Sequence, residues 1–452
     1  MARTRRTLVV DGGPEGGGTP IRRVAAASLI GSVIEWYDFF LYGTMVGLVF
    51  ATQFFPTEDP ATGTLLAFTT FAAGFVTRPL GGVIFGHLGD RLGRKPMLVV
   101  TMMIMGLATF AMGLLPTYET IGVAAPVLLV ALRMLQGIGL GGEWGGAVLL
   151  CVEHAPEGRR GWYSSWPQLG VPIGLLLSTA SVRLLGGLGD EALVEWAWRL
   201  PFLLSIVLVA IGLFIRLRIT EPETFREVLA SDDRATLPAW EALVRHPRAT
   251  LLGMGVRMSE SVTFNVYNAF LVAYVATLAL APKVILDALL VAAVVGFFAI
   301  LGSARLSDRI GRRPVFAMGA GLALVSAFPI FALVDTGEQL WITVAVVVGW
   351  GLAACTMFGP EGVLFAELFP TRVRYSGMST VYQLGVLPSG AVAPAVCTAL
   401  VANAGGASWP AAVYVMAMAV VSLASLAFLP ETFRRPLGDA AEPASQPAGG
   451  TR

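Results

Sequence analysis

The heptapeptide DRLGRKP at residues 90–96 returns as DRIGRRP at 308–314. Two further landmarks repeat in the same order. EHAPEGRR at 153–160 recurs as ELFPTRVR at 367–374, keeping Glu, Pro and the final Arg in register, and PETFR at 222–226 is found unchanged at 430–434. Long apolar runs separate these landmarks. Of the 452 residues, 55% are hydrophobic and 13% charged, and the mean hydropathy is +0.72, whereas soluble domains carry about 25% charged residues. Such a chain is built for a bilayer. Its runs are continuously apolar rather than alternating, which selects helices over a barrel, and each is close to the ~20 residues that cross a ~30 Å hydrocarbon core.

Twelve spans are expected, at 24–51, 63–88, 97–115, 121–150, 162–185, 197–217, 250–280, 285–304, 314–334, 339–366, 376–402 and 409–429. The landmarks follow spans 2, 4 and 6 and then 8, 10 and 12. The fold class is therefore an all-α membrane protein with twelve transmembrane helices in two parallel six-helix halves, 24–217 and 250–433, a plan used by transporters that bind at the interface between halves. A charged linker at 218–249 joins them. Residues 1–23, with five arginines and a GGPEGGG run, read as a flexible tail rather than a cleaved signal; 434–452 reads as disordered. Arginines gather in the loops 90–95, 157–161 and 307–313, in the 216–248 linker and at 371–374 and 434–435, while PTEDP (56–60), GDEALVE (189–195) and DTGE (335–338) mark the opposite side. The positive-inside rule makes the basic side cytoplasmic, and with twelve spans both termini too.

The GHLGDRLGRKP loop (86–96), RMLQG (133–137), the paired Glu-x6-Arg loops and the two PETFR segments resemble the major facilitator superfamily. Within it, EWYDFFLYG (35–43), FVTRPLGG (75–82) and GGEWGGA (141–147) resemble the metabolite:proton symporters, which implies a carrier of small polar metabolites such as proline and betaine, shikimate, α-ketoglutarate or citrate. Helix 7 departs from that pattern, reading FNVYN where an aromatic pair followed by threonine is expected.

Glu35 and Asp38 lie within the first span, Glu35 twelve residues past Arg23 and so ~18 Å deep. A carboxylate at that depth costs on the order of 2.5–3.5 kcal/mol, so it faces a cavity or a partner. Their i,i+3 spacing puts both on one helical face, with Tyr42 and Phe39 nearby, and that face is expected to look into the central cavity. Arg78 lies at similar depth before Asp90, Arg133 sits in helix 4, and Glu143 follows it ten residues on. An acid that loses its charge on protonation, beside an arginine that keeps its own, is what proton coupling requires. Asp38 is the preferred proton carrier because it lies deeper and among aromatic residues, with Glu35 the alternative and Arg133 and Glu143 completing the set. A permanent salt bridge locking helix 1 to helices 2 and 4 is the competing structural reading.

In the second half, Arg257 and Glu260 on helix 7 are again i,i+3 and able to neutralise each other. Asn265, Tyr267 and Asn268 follow on that helix, with Tyr382 and Gln383 on helix 11; with Arg78 and Tyr42 these are the expected substrate contacts. Glu361 is expected to brace or gate. The resemblance implies a cytoplasmic gate made of Asp90, Arg91, Arg94, Lys95, Glu153 and Arg160 with Asp308, Arg309, Arg312, Arg313, Glu367 and Arg374, whose ion pairs break as the halves rock. His87, His154 and the three cysteines show no metal-ligand spacing, and no phosphate-binding loop, nucleophile elbow or zinc-protease motif points to an enzyme. No cofactor is expected beyond protons as coupling ion. The expected partners are a small-molecule metabolite and the lipid bilayer, with no nucleic acid, and the chain is expected to act as a monomer. The reading is proton-coupled uptake of an anionic or zwitterionic metabolite across the cytoplasmic membrane. A proton-coupled exporter and a non-transporting receptor are the alternatives.

Overall fold

In a computed structural model the described residues are 20–57, 60–218, 238–434 and 437. Most of the expected linker, the first PETFR segment and all but the edges of both tails lie outside them. The described residues form α1 (Ile21–Met45), α2 (Pro60–Leu92), α3 (Arg94–Leu114), α4 (Ala124–His154), α5 (Arg160–Gly186) and α6 (Leu193–Leu217) in the first half. The second half holds α7 (Pro247–Asn265), α8 (Pro282–Ile310), α9 (Arg312–Asp335), α10 (Gln339–Ala366), α11 (Arg374–Val386, resuming at Ala393–Asn403) and α12 (Trp409–Phe428). Nine of these are individually long and apolar enough to cross a membrane. The polar inner faces of α2 and α7 and the break in α11 set the other three apart.

Several boundaries differ from the sequence expectation. The first helix starts at Ile21, so Arg22 and Arg23 sit in its first turn rather than in the tail. A short helix, Pro238–Arg245, forms at the end of the linker and packs on α2 and α11. Span 11 is interrupted at Leu387–Val392, where Pro388 removes a helical donor. There Gly390 comes so close to α7 that a Cβ would stand 2.0 Å from the Ser261 hydroxyl. Turns of π-helix extend α1 at Val46–Phe50 and α7 at Val266–Phe270, equivalent places in the two halves.

Backbone contact between α2 and α4 explains the glycines of FVTRPLGG and GGEWGGA. A Cβ on Gly141 would lie 1.9 Å from the Arg78 carbonyl, and one on Gly81 1.9 Å from the Ile138 carbonyl. Small residues let two membrane helices approach this closely, and Thr77 adds an interhelical bond to the Met134 carbonyl at 2.9 Å. The approach fixes Arg78 against α4. Between the halves, the principal packing joins α2 and α4 to the first segment of α11, and the start of α5 to α8 and α10. All of these segments lie toward the arginine-rich end, so the molecule is closed there.

Candidate functional site

A cavity with about 620 Å³ of space, including its mouth, lies between the halves. From the first half, α1 contributes Trp36 and Phe39, and α2 contributes Phe75 and Arg78. From the second, α7 contributes Arg257, Glu260, Ser261, Phe264, Asn265 and Asn268, α10 Phe358, and α11 Tyr382 and Gln383. The cavity wall thus brings together Arg78, Arg257, Glu260, Asn265, Asn268, Tyr382 and Gln383 of the expected substrate contacts. Tyr42 and Tyr267 are placed away from it. Tyr42 is fully buried in the first half, sharing a 2.6 Å hydrogen bond with Thr70 and lying under Arg133, whose guanidinium carbon is 4.2 Å from the ring centroid. Tyr267 is fully buried beside Phe331. It is two positions from Asn265, and residues at i,i+2 do not share a helical face.

The acids of α1 are likewise turned away from the cavity. Neither Glu35 nor Asp38 lines it, contrary to the expected orientation. They share their face with Tyr42 and point into the six-helix bundle, while Trp36 and Phe39 form the screen on the cavity side. Both are almost fully buried, at 2% and 1% exposure. Asp38 Oδ2 accepts a 2.8 Å bond from Thr109 of α3, Thr109 Oγ1 accepts one from the Gln136 amide at 2.8 Å, and Gln136 Oε1 accepts one from Arg133. Asp38 and Arg133 are thereby linked through two polar side chains. Glu35 lies within electrostatic reach of Arg78, Glu143 and Arg216.

Glu143 has a partner that sequence reading missed. Arg216, counted among the linker charges, is 3% exposed in the last turn of α6 and is bonded to Glu143. The other Glu143 oxygen accepts from Thr101 at 3.0 Å. A buried anion requires such a cation, so the absence of any other assigned partner for Glu143 was the one available signal.

The cavity's two arginines differ in their company. Arg257 is bonded to Glu260, lies 3.1 Å from Glu361 and stacks 4.0 Å from the Tyr382 ring centroid. Glu361, expected to brace or gate, ties α10 to α7 in the charge cluster beneath the cavity. Tyr382 stacks in turn on Trp144 of α4, centroids 3.6 Å apart, so this floor spans both halves. Gln383 donates to the Gly141 carbonyl at 3.0 Å. Arg78 has no carboxylate within salt-bridge distance among the described residues; instead the rings of Phe75, Phe39 and Trp36 surround its guanidinium at 5.1, 5.4 and 5.9 Å. Its charge remains available to a ligand.

At the basic end the repeated landmarks form two matching clusters, each closed by the other half. Asp90 accepts the backbone N–H groups of Tyr375 and Ser376 at the start of α11, at 3.2 and 2.8 Å. Asp308 accepts those of Gly161 and Trp162 at the start of α5, both at 2.8 Å. A carboxylate suits the positive end of a helix. Arg94 bridges Asp90 and Glu153, and Arg374 from the opposite half reaches Glu153 at 3.3 Å. Arg312 bridges Asp308 and Glu367, which Arg160 approaches at 4.0 Å. Four other expected gate residues do otherwise. Arg91 and Arg309 are exposed; Lys95 donates to the Leu217 carbonyl and Arg313 to that of Ala427, each within its own half. In a helical loop only one side of DRxGR faces the partner half, and these side chains are on the other.

Two parallel helical halves, a cavity between them and paired charge clusters under it make a carrier architecture, and the Major Facilitator Superfamily family model matches residues 28–387 and 258–449. The chain belongs to the major facilitator superfamily. It is a multi-pass membrane transporter and not an enzyme. The shikimate transporter of Escherichia coli is 41% identical over 405 residues, 89% of this chain and 92% of the relative. The glycine betaine/proline/ectoine/pipecolic acid transporter of Dickeya dadantii is 34% identical over 94% of this chain and 86% of its own length. Among solved structures, the proton:xylose symporter bound to 6-bromo-6-deoxy-D-glucose superposes with a TM-score of 0.72 at 18% identity, over 91% of this chain and 96% of that one; that likeness is one of fold.

Proposed function

We propose that the transporter takes up a small organic acid or zwitterion together with protons, and that Arg78 binds its carboxylate. The observation that carries this reading is Arg78 itself, a cation without a bound carboxylate at the cavity wall, within electrostatic reach of the buried acid Glu35 behind the wall. A neutral Glu35 leaves the Arg78 charge for the substrate, while an ionised Glu35 competes for it, so proton and substrate favour each other's binding. Asn265, Asn268 and Gln383 supply amides for hydroxyl or carboxylate groups, and the aromatic rings offer apolar and π faces to a small ring or quaternary ammonium. The names of the relatives, a shikimate transporter and a betaine/proline transporter, fit this chemistry.

Closure of the charge clusters defines one end state. With the basic end cytoplasmic and both termini on that side, it is the outward-facing state, and inward opening requires the Asp90 and Asp308 bonds to break. The working unit is one chain, and protons replace any cofactor. Proteoliposomes with an acidic exterior test the proposal against a panel of radiolabelled shikimate, glycine betaine and proline. Accumulation of at least one, abolished by a protonophore, is expected. Accumulation of none, or gradient-driven expulsion instead, overturns it.

A further inference from the structure

Glu143 of α4 lies within electrostatic reach of Glu35 of α1, and Arg78 of α2 and Arg216 of α6 are the cations acting on Glu35. The two carboxylates are differently supplied. Both oxygens of Glu143 are engaged, one by Arg216 and one by the Thr101 hydroxyl. Oε2 of Glu35 is buried with no hydrogen-bond partner among the described residues. A carboxylate receiving a charge-assisted bond and a hydroxyl bond is stabilised as the anion, whereas a buried oxygen without a donor belongs to the neutral acid. Arg216 is paired with Glu143, and Arg78 is within salt-bridge distance of neither acid among the described residues, so the two neighbouring carboxylates have one paired cation and one of them is better held neutral.

Arg216 is held where it decides between them. It donates to the Leu98 carbonyl of α3 at 2.6 Å, and its guanidinium presses on α1 at Gly31, where a Cβ would stand 1.9 Å away. Gly31 is one turn from Glu35, on the same face of α1. From α6, therefore, one side chain touches α1, α3 and α4 beside the carboxylate pair. We propose that Arg216 is a positioning residue that keeps Glu143 as a fixed anion and thereby directs the exchangeable proton to Glu35. This rests on the proton-coupled reading above and names which acid of the Glu35–Glu143 pair serves it. The proton arrives on Glu35 from water on one side and leaves to water on the other; no other bond is made or broken. Asp38, one turn along α1, has Oδ2 engaged by Thr109 and sits with Arg133 in the neighbouring network, while its Oδ1, like Oε2 of Glu35, is buried with no hydrogen-bond partner among the described residues; it lies outside the pair that Arg216 sorts.

Infrared pH titration of the purified full chain in nanodiscs tests the assignment, in an Asp38→Asn background so that the neutral-acid carbonyl band does not include Asp38. The component of the band that belongs to Glu35 is expected to disappear with Glu35→Gln, leaving the contribution of other buried acids such as Glu361 and Asp90. With Glu143→Gln the Glu35 component should persist but require lower pH. Arg216→Gln should raise its midpoint by about one pH unit or more, as Glu143 loses its counter-charge, and Arg216→Lys should restore most of the shift. Gly31→Ala, which displaces the guanidinium without removing it, should move the midpoint the same way, and provides the reading if Arg216→Gln does not fold. A band unchanged by Glu35→Gln but losing a component with Glu143→Gln overturns the proposal, as does an unmoved midpoint of the Glu35 component in Arg216→Gln or, failing its folding, in Gly31→Ala. Shikimate, betaine and proline uptake is read separately. A titrating Glu35 band in a protein that transports none of them would sink the uptake reading and leave the proton assignment standing.

Discussion

Replacing Asp90 by Asn should open the basic end. Asp90 is 2% exposed and accepts two backbone N–H groups from α11 of the opposite half. Asn has one acceptor oxygen and no charge, so it loses one of these bonds and weakens the other. Hydrogen bonds to charged groups contribute about 1.5–3 kcal/mol each, so the closed state should lose about 2–4 kcal/mol relative to the open one, a shift of roughly 30- to 1,000-fold in their ratio. Ser376 reports it well. The residue is fully buried at the closure, beside Asp90, so a cysteine there is shielded while the end is closed; the labelling rates are compared between Ser376→Cys with and without Asp90→Asn, and the three native cysteines are buried. A membrane-impermeant maleimide applied at the basic end should label Cys at 376 at least ~30-fold faster when Asp90 is Asn, because labelling follows the open population. Asp308→Asn, which breaks the matching bonds to α5, should do the same. An unchanged labelling rate in Asp90→Asn would refute the claim that these capped helix ends hold the halves together.

Arg78→Gln should weaken binding of whichever probe the uptake panel identifies by about 10- to 100-fold, the loss of one charge-assisted contact, and calorimetry on detergent-purified protein checks this; Arg78→Lys should fall between. Gly141→Ala should lower the unfolding temperature, since the added methyl meets the Arg78 backbone carbonyl at 1.9 Å and the helices must part, a cost of about 1–3 kcal/mol. Glu431→Gln should destabilise by about 1–2 kcal/mol, because Glu431 accepts the Arg312 and Arg313 N–H groups, each at 3.0 Å, as the cap of α9; thermal unfolding measures that too.

The repeat of DRLGRKP was enough to find the two halves, and the paired Asp, Glu and Arg of its neighbours form the buried clusters because the same loop geometry occurs twice. Spacing also placed Glu35 and Asp38 on one face. It did not say which way that face turned, because α1 is apolar on nearly every side and both lipid and bundle interior accept apolar residues, so no amphipathic signal orients it. Tyr42, four residues from Asp38, turned with it into the bundle. Arg216 was lost among basic neighbours: RLR at 216–218 straddles the end of the expected span 197–217 and the start of the basic linker, so its charges read as cytoplasmic, yet Arg216 is 3% exposed within the helix while Arg218 is exposed beyond the helix end. The partner of Glu361 was not legible because distance along α10 from Glu367 gives depth and says nothing of the approach of Arg257 from α7. In each case the missing information was a contact between helices.

The central claim is that substrate and proton cross together, and lumenal pH recorded during uptake tests it most directly. Liposomes carrying the transporter, filled with a pH-sensitive dye and held at equal pH inside and out, are given the identified substrate on the face opposite the basic end. The account predicts that its entry acidifies the lumen, that Glu35→Gln abolishes the acidification, and that Glu35→Gln still exchanges labelled for unlabelled substrate. Substrate entry with no lumenal acidification in the unmodified protein would contradict it.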